Sequence, residues 1–325
     1  MDEYTPVRLE FDSSLTCKLC GSKEITELLE GVKDPLGHVA ESFSIYKCNS
    51  CQVAFTFPVI RNSDLGFLYA GQYFSAADEL SWAERLYRND QYRYDFKLFR
   101  SLVSRHSKIL DYGCGNGSRV RYLWSKGYEN VEGVDKYKQG GEVVDQRLIG
   151  CDPLHYYPQE KYDVVTVYHV FEHLPDIKSH ISHIRKNLLL PDGLLVVQVP
   201  NFDCWQRRYG GSSWVVLDVP RHYWHFNQKS LTTLLLQQDF KIIKTVARNS
   251  IFHPTSILST VFGYDIRTQW RNGNKSPLRL QVEFLFLHLL ATPLVFLENI
   301  CQNSSILNVV ARNSATGFVG EEIKR

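Results

Sequence analysis

The sequence predicts an α/β fold: a mostly parallel sheet with helices on both faces, preceded by a small metal-binding module. Three observations carry that expectation. From Lys108 onward, short apolar runs alternate with helix-like segments, the rhythm of strands joined by crossover helices. The first run opens into a glycine-rich turn, Gly113-Cys114-Gly115-Asn116-Gly117, as a ligand-binding strand-to-helix connection would. Ahead of both stand two C-x-x-C pairs, Cys17/Cys20 and Cys48/Cys51.

The first module spans residues 1–60. Its cysteine pairs are separated by 27 residues and offer four thiolates from two tight turns, the donor set of a closed tetrahedral zinc site. Four sulfurs leave no open position for water, so the ion would be structural. A redox dithiol would use one such pair, and His38 is left as a loop residue. Between the pairs, Gly31, Pro35 and Gly37 punctuate short apolar runs, which favours hairpins over helices. Residues 61–107 follow as a helical connector, where Leu80, Leu86, Tyr87, Tyr94, Leu98 and Leu102 recur at helical spacing. From 108 to 325 the pattern is that of the main domain. Its strands are expected at 109–112, 131–134, 147–151, 162–168 and 194–199, with 241–246 and 306–311 as edge or antiparallel strands.

Composition narrows the function. Apolar residues make 44% of the 325 and charged residues 22%, enough for a buried core and too little charge for a disordered polymer. Lys plus Arg against Asp plus Glu leaves +2, too balanced for binding built on phosphate neutralisation. Nucleic acid is therefore not an expected partner. The start, MDEYTPVRLEFD, lacks the apolar run of a secretory signal. A cytoplasmic location with reduced cysteines is expected.

The glycine turn runs from Ile109-Leu110-Asp111-Tyr112 into a helical stretch at 120–126. Its spacing is G-x-G-x-G, not the G-x-G-x-x-G of dinucleotide folds, which disfavours a nicotinamide-dependent oxidoreductase. Asp135 ends the next strand, about 20 residues on, where a carboxylate can accept both hydroxyls of a ribose. Asp152 follows the next short run, placed for an adenine amino group. The alternative for both is a solvated loop acid.

Leu110-Asp111-Tyr112-Gly113-Cys114-Gly115-Asn116-Gly117, then Asp135, then Tyr162-Asp163-Val164-Val165 leading into His169-Val170-Phe171-Glu172-His173-Leu174, together resemble class I S-adenosylmethionine-dependent methyltransferases. The turn Leu190-Pro191-Asp192-Gly193-Leu194 fits the same pattern, and the resemblance covers roughly 108–313. It implies a Rossmann-like seven-stranded sheet with the last strand antiparallel. It implies S-adenosyl-L-methionine as cofactor, contacted by Asp111, Gly113, Cys114, Gly115, Asn116 and Gly117, with Asp135 on ribose, Asp152 at adenine, and His169 nearby. The cysteine ribbon, followed by Leu68-Tyr69 and Gln72-Tyr73-Phe74, resembles a bacterial subgroup that methylates sugars, glycans or secondary metabolites. Sugar C-methyltransferases of that kind carry a further C-terminal domain, whereas this chain ends soon after its last expected strand. A hydroxyl acceptor on a small-molecule, glycan or lipid-linked substrate is therefore the leading expectation and C-methylation of a keto-sugar the alternative. A non-catalytic binding platform is the rival from another class.

Methyl transfer from an activated sulfonium needs alignment and, for a hydroxyl acceptor, a base. Candidates are His169, Glu172 and His173 after the fourth strand, and His222 and His225 in Arg221-His222-Tyr223-Trp224-His225 after the fifth. His173 reads as base, orienter or cap; the second pair reads equally as a packed loop. A mixed His/Glu metal site stays open. Trp205, Trp214 and Trp224 would stack on a sugar or simply pack; Arg207, Arg208 and Arg221 would meet a phosphate or lie on the surface. Last, residues 284–297 form a nearly unbroken apolar run within an insertion at 249–305. It is shorter than the about 20 residues a bilayer crossing takes. Three readings remain: a buried helix or homodimer contact, a hydrophobic substrate cover, and a segment resting on a membrane surface beside Arg267, Arg271, Lys275 and Arg279.

Overall fold

Valine, isoleucine and leucine dominate the central strands, and that composition makes a sheet buried on both faces. The computed structural model describes residues 11–12, 14–60, 82–136, 146–248, 257, 260 and 277–314. The 68–74 motif, Arg267, Arg271, Lys275 and the tail from 315 lie outside the described residues. The main sheet comprises β6 (Ile109–Tyr112), β7 (Val131–Asp135), β8 (Leu148–Gly150), β9 (Tyr162–Tyr168), β10 (Leu189–Pro200), β12 (Phe240–Val246) and β13 (Ile306–Asn313). Its seven strands run in the order β12-β13-β10-β9-β6-β7-β8. β6, β7, β8, β9 and β10 pair in parallel, and β13 lies antiparallel between β10 and β12. Val131, Val164, Val165, Val196 and Val197 are fully buried in it.

The chain reverses between β6 and β9, which are neighbours in space although β7 and β8 intervene in sequence. Ligands collect at the carboxyl edge of a parallel sheet at such a switch point. Here that edge carries the glycine turn after β6, Asp135 at the end of β7 and His169 after β9.

Helices cover the faces. α1 (Trp82–Lys97) and α2 (Ser118–Ser125) flank β6. α3 (Ile177–His183) starts at Asp176, whose carboxylate accepts from Ser179 N at 3.3 Å, the expected N-cap contact. α4 (Trp205–Gly210) follows β10, and α5 (Gln228–Leu236) begins with a reciprocal capping box between Asn227 and Ser230. α6 (Pro277–Ile300) carries the apolar run 284–297 of the insertion. Ala291, Val295 and Glu298 face the body, whereas Phe286, Leu289, Leu290 and Phe296 stay more than half exposed. Among the described residues no helix is long and apolar enough to cross a membrane.

The N-terminal module is built of hairpins, as its glycine punctuation predicts. β2 (Ile25–Lys33), β3 (Ser42–Cys48) and β4 (Ala54–Phe57) pair antiparallel, and a two-residue ladder joins β1 (Phe11–Asp12) to β5 (Val59–Ile60). The fourth strand of this sheet comes from the main domain: β11 (Trp224–His225) pairs with Phe55 and Ala54. Val32, Phe43, Ile45 and Ala54 share one apolar cluster with Phe202, Trp214 and Leu217. Module and main domain thus share a sheet and a core.

Candidate active site

The glycine turn is shaped by left-handed backbone that only glycine adopts without cost. Gly113, Gly115 and Gly117 have φ of 76°, 54° and 77°. A Cβ on Gly113 would collide with Val170, and one on Gly117 would stand 2.6 Å from Leu148 Cδ1. The turn is therefore wedged between the ends of β9 and β8. Gly115 has open space beside it and donates its N–H to Asp135 Oδ2 at 2.8 Å, so the acid of β7 and the turn are one unit. Asn116 Oδ1 accepts from Ser118 N and Oγ at 3.1 and 2.7 Å, opening α2. Cys114 places its sulfur where a Cβ on Gly133 would stand 2.7 Å away. Asp152 accepts from Leu154 N at 3.1 Å and faces Lys136 at 3.4 Å. Burial works against ionisation there, but these partners hold its carboxyl below the usual carboxylate range.

Behind the turn, Asp111 belongs to a polar group whose other members, Arg119, Asp95 and Gln198, the sequence did not single out. Arg119 Nη2 meets Asp95 Oδ2 at 3.1 Å, and its guanidinium sits 4.0 Å from the Tyr168 ring centroid. Gln198 Nε2 donates to Asp95 Oδ1 at 2.8 Å. Asp111 accepts from Thr166 Oγ1 at 2.8 Å, a bond set by the register Asp111↔Thr166. Burial pushes the Asp111 carboxyl up to about 6 despite Arg119 and Thr166. A cation and two acids thus stand together beside the glycine turn.

The histidines converge at the same edge. His169 adopts a left-handed φ of 56°, and its Nδ1 lies 3.1 Å from Glu172 Oε1. Glu172 is fully buried, and its Oε2 has no hydrogen-bond partner among the described residues. Burial opposes its charge, yet the His169 bond and the surrounding imidazoles keep its carboxyl below the usual value. His173 Nδ1 lies 3.1 Å from Arg221 O, and His222 Nδ1 3.0 Å from Val216 O. Carbonyls only accept, so in the neutral rings both Nδ1 atoms carry the proton. The two rings meet edge to face at 4.6 Å, and His222 Nε2 lies 3.8 Å from Asp218 Oδ2. Glu172, His173 and His222 each place a ligand atom within 4.8 Å of the others. Burial, then His173, drives His222 well below the ordinary histidine value; burial lowers His225 to about 3. His225 stands next to His222, ring centroids 6.4 Å apart.

Residues 85–245 match the family model described as "Methyltransferase domain". Several curated relatives named ubiquinone biosynthesis O-methyltransferase match part of the chain. That of Haemophilus ducreyi is 33% identical over 109 residues, 29% of this chain and 45% of the relative. That of Idiomarina loihiensis is 28% identical over 163 residues, 45% of this chain and 66% of the relative. The chain spans about half the length of the curated relatives it matches. Among solved structures, Burkholderia thailandensis 1,6-didemethyltoxoflavin-N1-methyltransferase is 14% identical, covering 85% of this chain and 97% of that one at a TM-score of 0.48. The strand order with its antiparallel β13 and the glycine turn agree with the family match. This part of the chain is a class I S-adenosylmethionine-dependent methyltransferase domain.

The methyltransferase domain corrects one sequence expectation and decides between two readings of another. Arg221 is neither a surface charge nor open to a phosphate: it is 0% exposed, with Asp34 Oδ1 and Asp218 Oδ1 both 2.6 Å from Nη2. Trp214 and Trp224 are buried, Trp224 donating to Leu174 O at 2.7 Å, so neither presents a face to a sugar. Beside the methyltransferase domain the four cysteines also gather. Cys17 and Cys51 sulfurs lie 3.6 Å apart, Cys20 and Cys48 3.5 Å, and all four lie within 4.8 Å of one another. Two matching knuckles shape them: Gly21 N donates to Cys17 O and Gln52 N to Cys48 O, with φ of 77° and 64° at the donors.

Proposed function

We propose that the protein transfers a methyl group from S-adenosyl-L-methionine to a hydroxyl of a sugar, glycan or lipid-linked intermediate. One observation carries the reading. Val170 packs on Gly113, so the turn expected to hold the cofactor and the His169-Glu172-His173 turn share one wall. Arg119 would face the cofactor's carboxylate, Asp111 and Asp95 its ammonium, and Asp135 its ribose. When bound, S-adenosyl-L-methionine would supply an activated methyl group to the acceptor oxygen, the new C–O bond replacing the C–S bond whose electron pair would leave with sulfur as S-adenosylhomocysteine. His173 takes the hydroxyl proton on Nε2: its Nδ1 is anchored on Arg221 O, and buried Glu172 offsets the imidazolium charge. His222 is a poorer base because burial disfavours its charged form. The relatives' name supports oxygen as acceptor. The four cysteines suit a structural zinc, whose sulfurs would stand about 3.8 Å apart at Zn–S distances of about 2.3 Å.

A methyl-labelled donor offered to pooled nucleotide sugars, glycans and lipid-linked sugars tests the reading. Label should enter one class, and His173→Gln should lower kcat roughly 10²–10⁴-fold. Label in none of the classes overturns it.

A second reading of the base is favoured by the unpartnered Glu172 Oε2. With the His173 and His222 imidazoles it forms a nitrogen-and-oxygen donor set suited to a first-row divalent cation, and each Nδ1 is held by a backbone carbonyl as metal-bound histidines usually are. Stimulation of transfer by added Mn²⁺, lost in Glu172→Gln, would select this reading.

A further inference from the structure

Thr56 stands in β4, a few residues after the second cysteine pair, yet its hydroxyl serves the histidine loop of the methyltransferase domain. Its Oγ1 lies 2.6 Å from His222 O and 2.9 Å from His225 Nε2. A hydroxyl has one proton to give, and a carbonyl can only accept. Thr56 therefore donates to His222 O and accepts from His225 Nε2–H, which fixes the tautomer of a buried ring. Its backbone does more: Thr56 N donates to Tyr223 O at 3.0 Å, one step beyond the ladder pairs Ala54↔His225 and Phe55↔Trp224. The flanks are tied too. Tyr223 OH donates to Ile60 O at 3.0 Å, and Arg221 reaches Asp34 in the β2–β3 loop. Asp34 itself accepts from Leu36, His38 and Val39 N–H groups at 2.8–3.1 Å. The position of β4 traces back to the cysteine knuckle, where Cys48 N donates to Val53 O at 2.9 Å and Lys47 pairs with Ala54.

We propose that Thr56 is a positioning residue of the methyl-transfer site. The N-terminal module forms part of its acceptor side, and Thr56 locks the His222 backbone and the His225 ring, holding the loop from which the His222 ring meets His173. The inference rests on the methyl-transfer reading above. It makes the cysteine module a working wall of the site, joined to it through the Thr56 hydroxyl, one short ladder and the flanking Tyr223–Ile60 and Arg221–Asp34 bonds.

Thr56→Val keeps the backbone ladder and removes both side-chain bonds; Thr56→Ser restores them. In full-length protein, Thr56→Val should lower kcat or raise the acceptor KM by about tenfold in total, the scale of one or two buried hydrogen bonds. S-adenosylhomocysteine affinity should stay within about twofold, because the glycine turn is held through Val134 O and the Asp135 carboxylate of β7 rather than through the Thr56 hydroxyl. Thr56→Ser should regain most of the loss. Nitrogen-15 ring spectra of His225 should show the Nε2–H tautomer in the natural protein and in Thr56→Ser, and a mixture in Thr56→Val. The proposal is overturned if Thr56→Val turns over normally, if Thr56→Ser is equally impaired, or if the His225 tautomer is the same in all three. The ring spectra need no acceptor. Should no substrate be methylated by any of the three while the tautomer follows Thr56, the methyl-transfer reading fails and the positional lock stands.

Discussion

At Gly113 two constraints meet, a φ of 76° and the Val170 side chain pressed against the Cα. Alanine there must adopt left-handed backbone and displace Val170, for a combined cost of about 2–4 kcal/mol. At Gly115 the φ is 54° but the space is open, so alanine costs about 1 kcal/mol. Denaturant midpoints of the two variants should separate in that order; equal midpoints would contradict the wedge. Asp135 acts differently. Its carboxylate steadies Gly115 N–H and stands half-buried at a strand end. Asp135→Ala should weaken S-adenosylhomocysteine binding roughly 10- to 100-fold, as charge-assisted bonds of about 1.5–3 kcal/mol imply, with little change in Tm. Unchanged affinity would remove its ribose role.

Among the elements, α6 is held through a few buried residues, one of them acidic. Glu298 accepts from Gln206 Nε2 of α4 at 2.9 Å, and burial pushes its carboxyl up to about 7, against the Gln206 bond. A folded value above the unfolded one means the folded state binds the proton more tightly. That contribution is complete below about pH 4, near the unfolded value, and is lost as pH rises through about 7. Thermal stability should therefore fall from pH 5 to pH 8 more steeply in the natural protein than in Glu298→Gln. Parallel pH profiles would show that α6 does not depend on this proton. The strands were legible because buried parallel strands read as short, mainly apolar runs: Ile109–Tyr112 and Tyr162–Tyr168 stand where the pattern puts them. Bonds between distant residues were not. Gln198 and Asp95 are 103 residues apart and Thr56 and His222 are 166 apart, and local periodicity carries no signal for such pairs. Arg221 was misread for the same reason, since an arginine between proline and histidine looks exposed until Asp34, 187 residues away, is placed beside it.

For the whole molecule, the sheet that β4 shares with β11 joins the four cysteines to the histidine loop, and the main sheet carries the edge proposed for the cofactor. β6, β7 and β9 carry the cofactor edge, and β4 with β11 carries the histidine loop. Stripping the proposed zinc should loosen residues 14–60 and the 221–225 loop together, abolishing transfer while S-adenosylhomocysteine still binds. Hydrogen exchange with and without chelator reads this directly, and protection lost equally around the glycine turn would contradict it. The central claim is that the edge formed by the glycine turn, Asp135 and Arg119 holds S-adenosylmethionine. Calorimetric titration of the full chain with S-adenosylhomocysteine, and separately with NAD, tests it most directly. Saturable heat at one molecule per chain with the first and none with the second is the predicted result; no heat with S-adenosylhomocysteine would contradict the account.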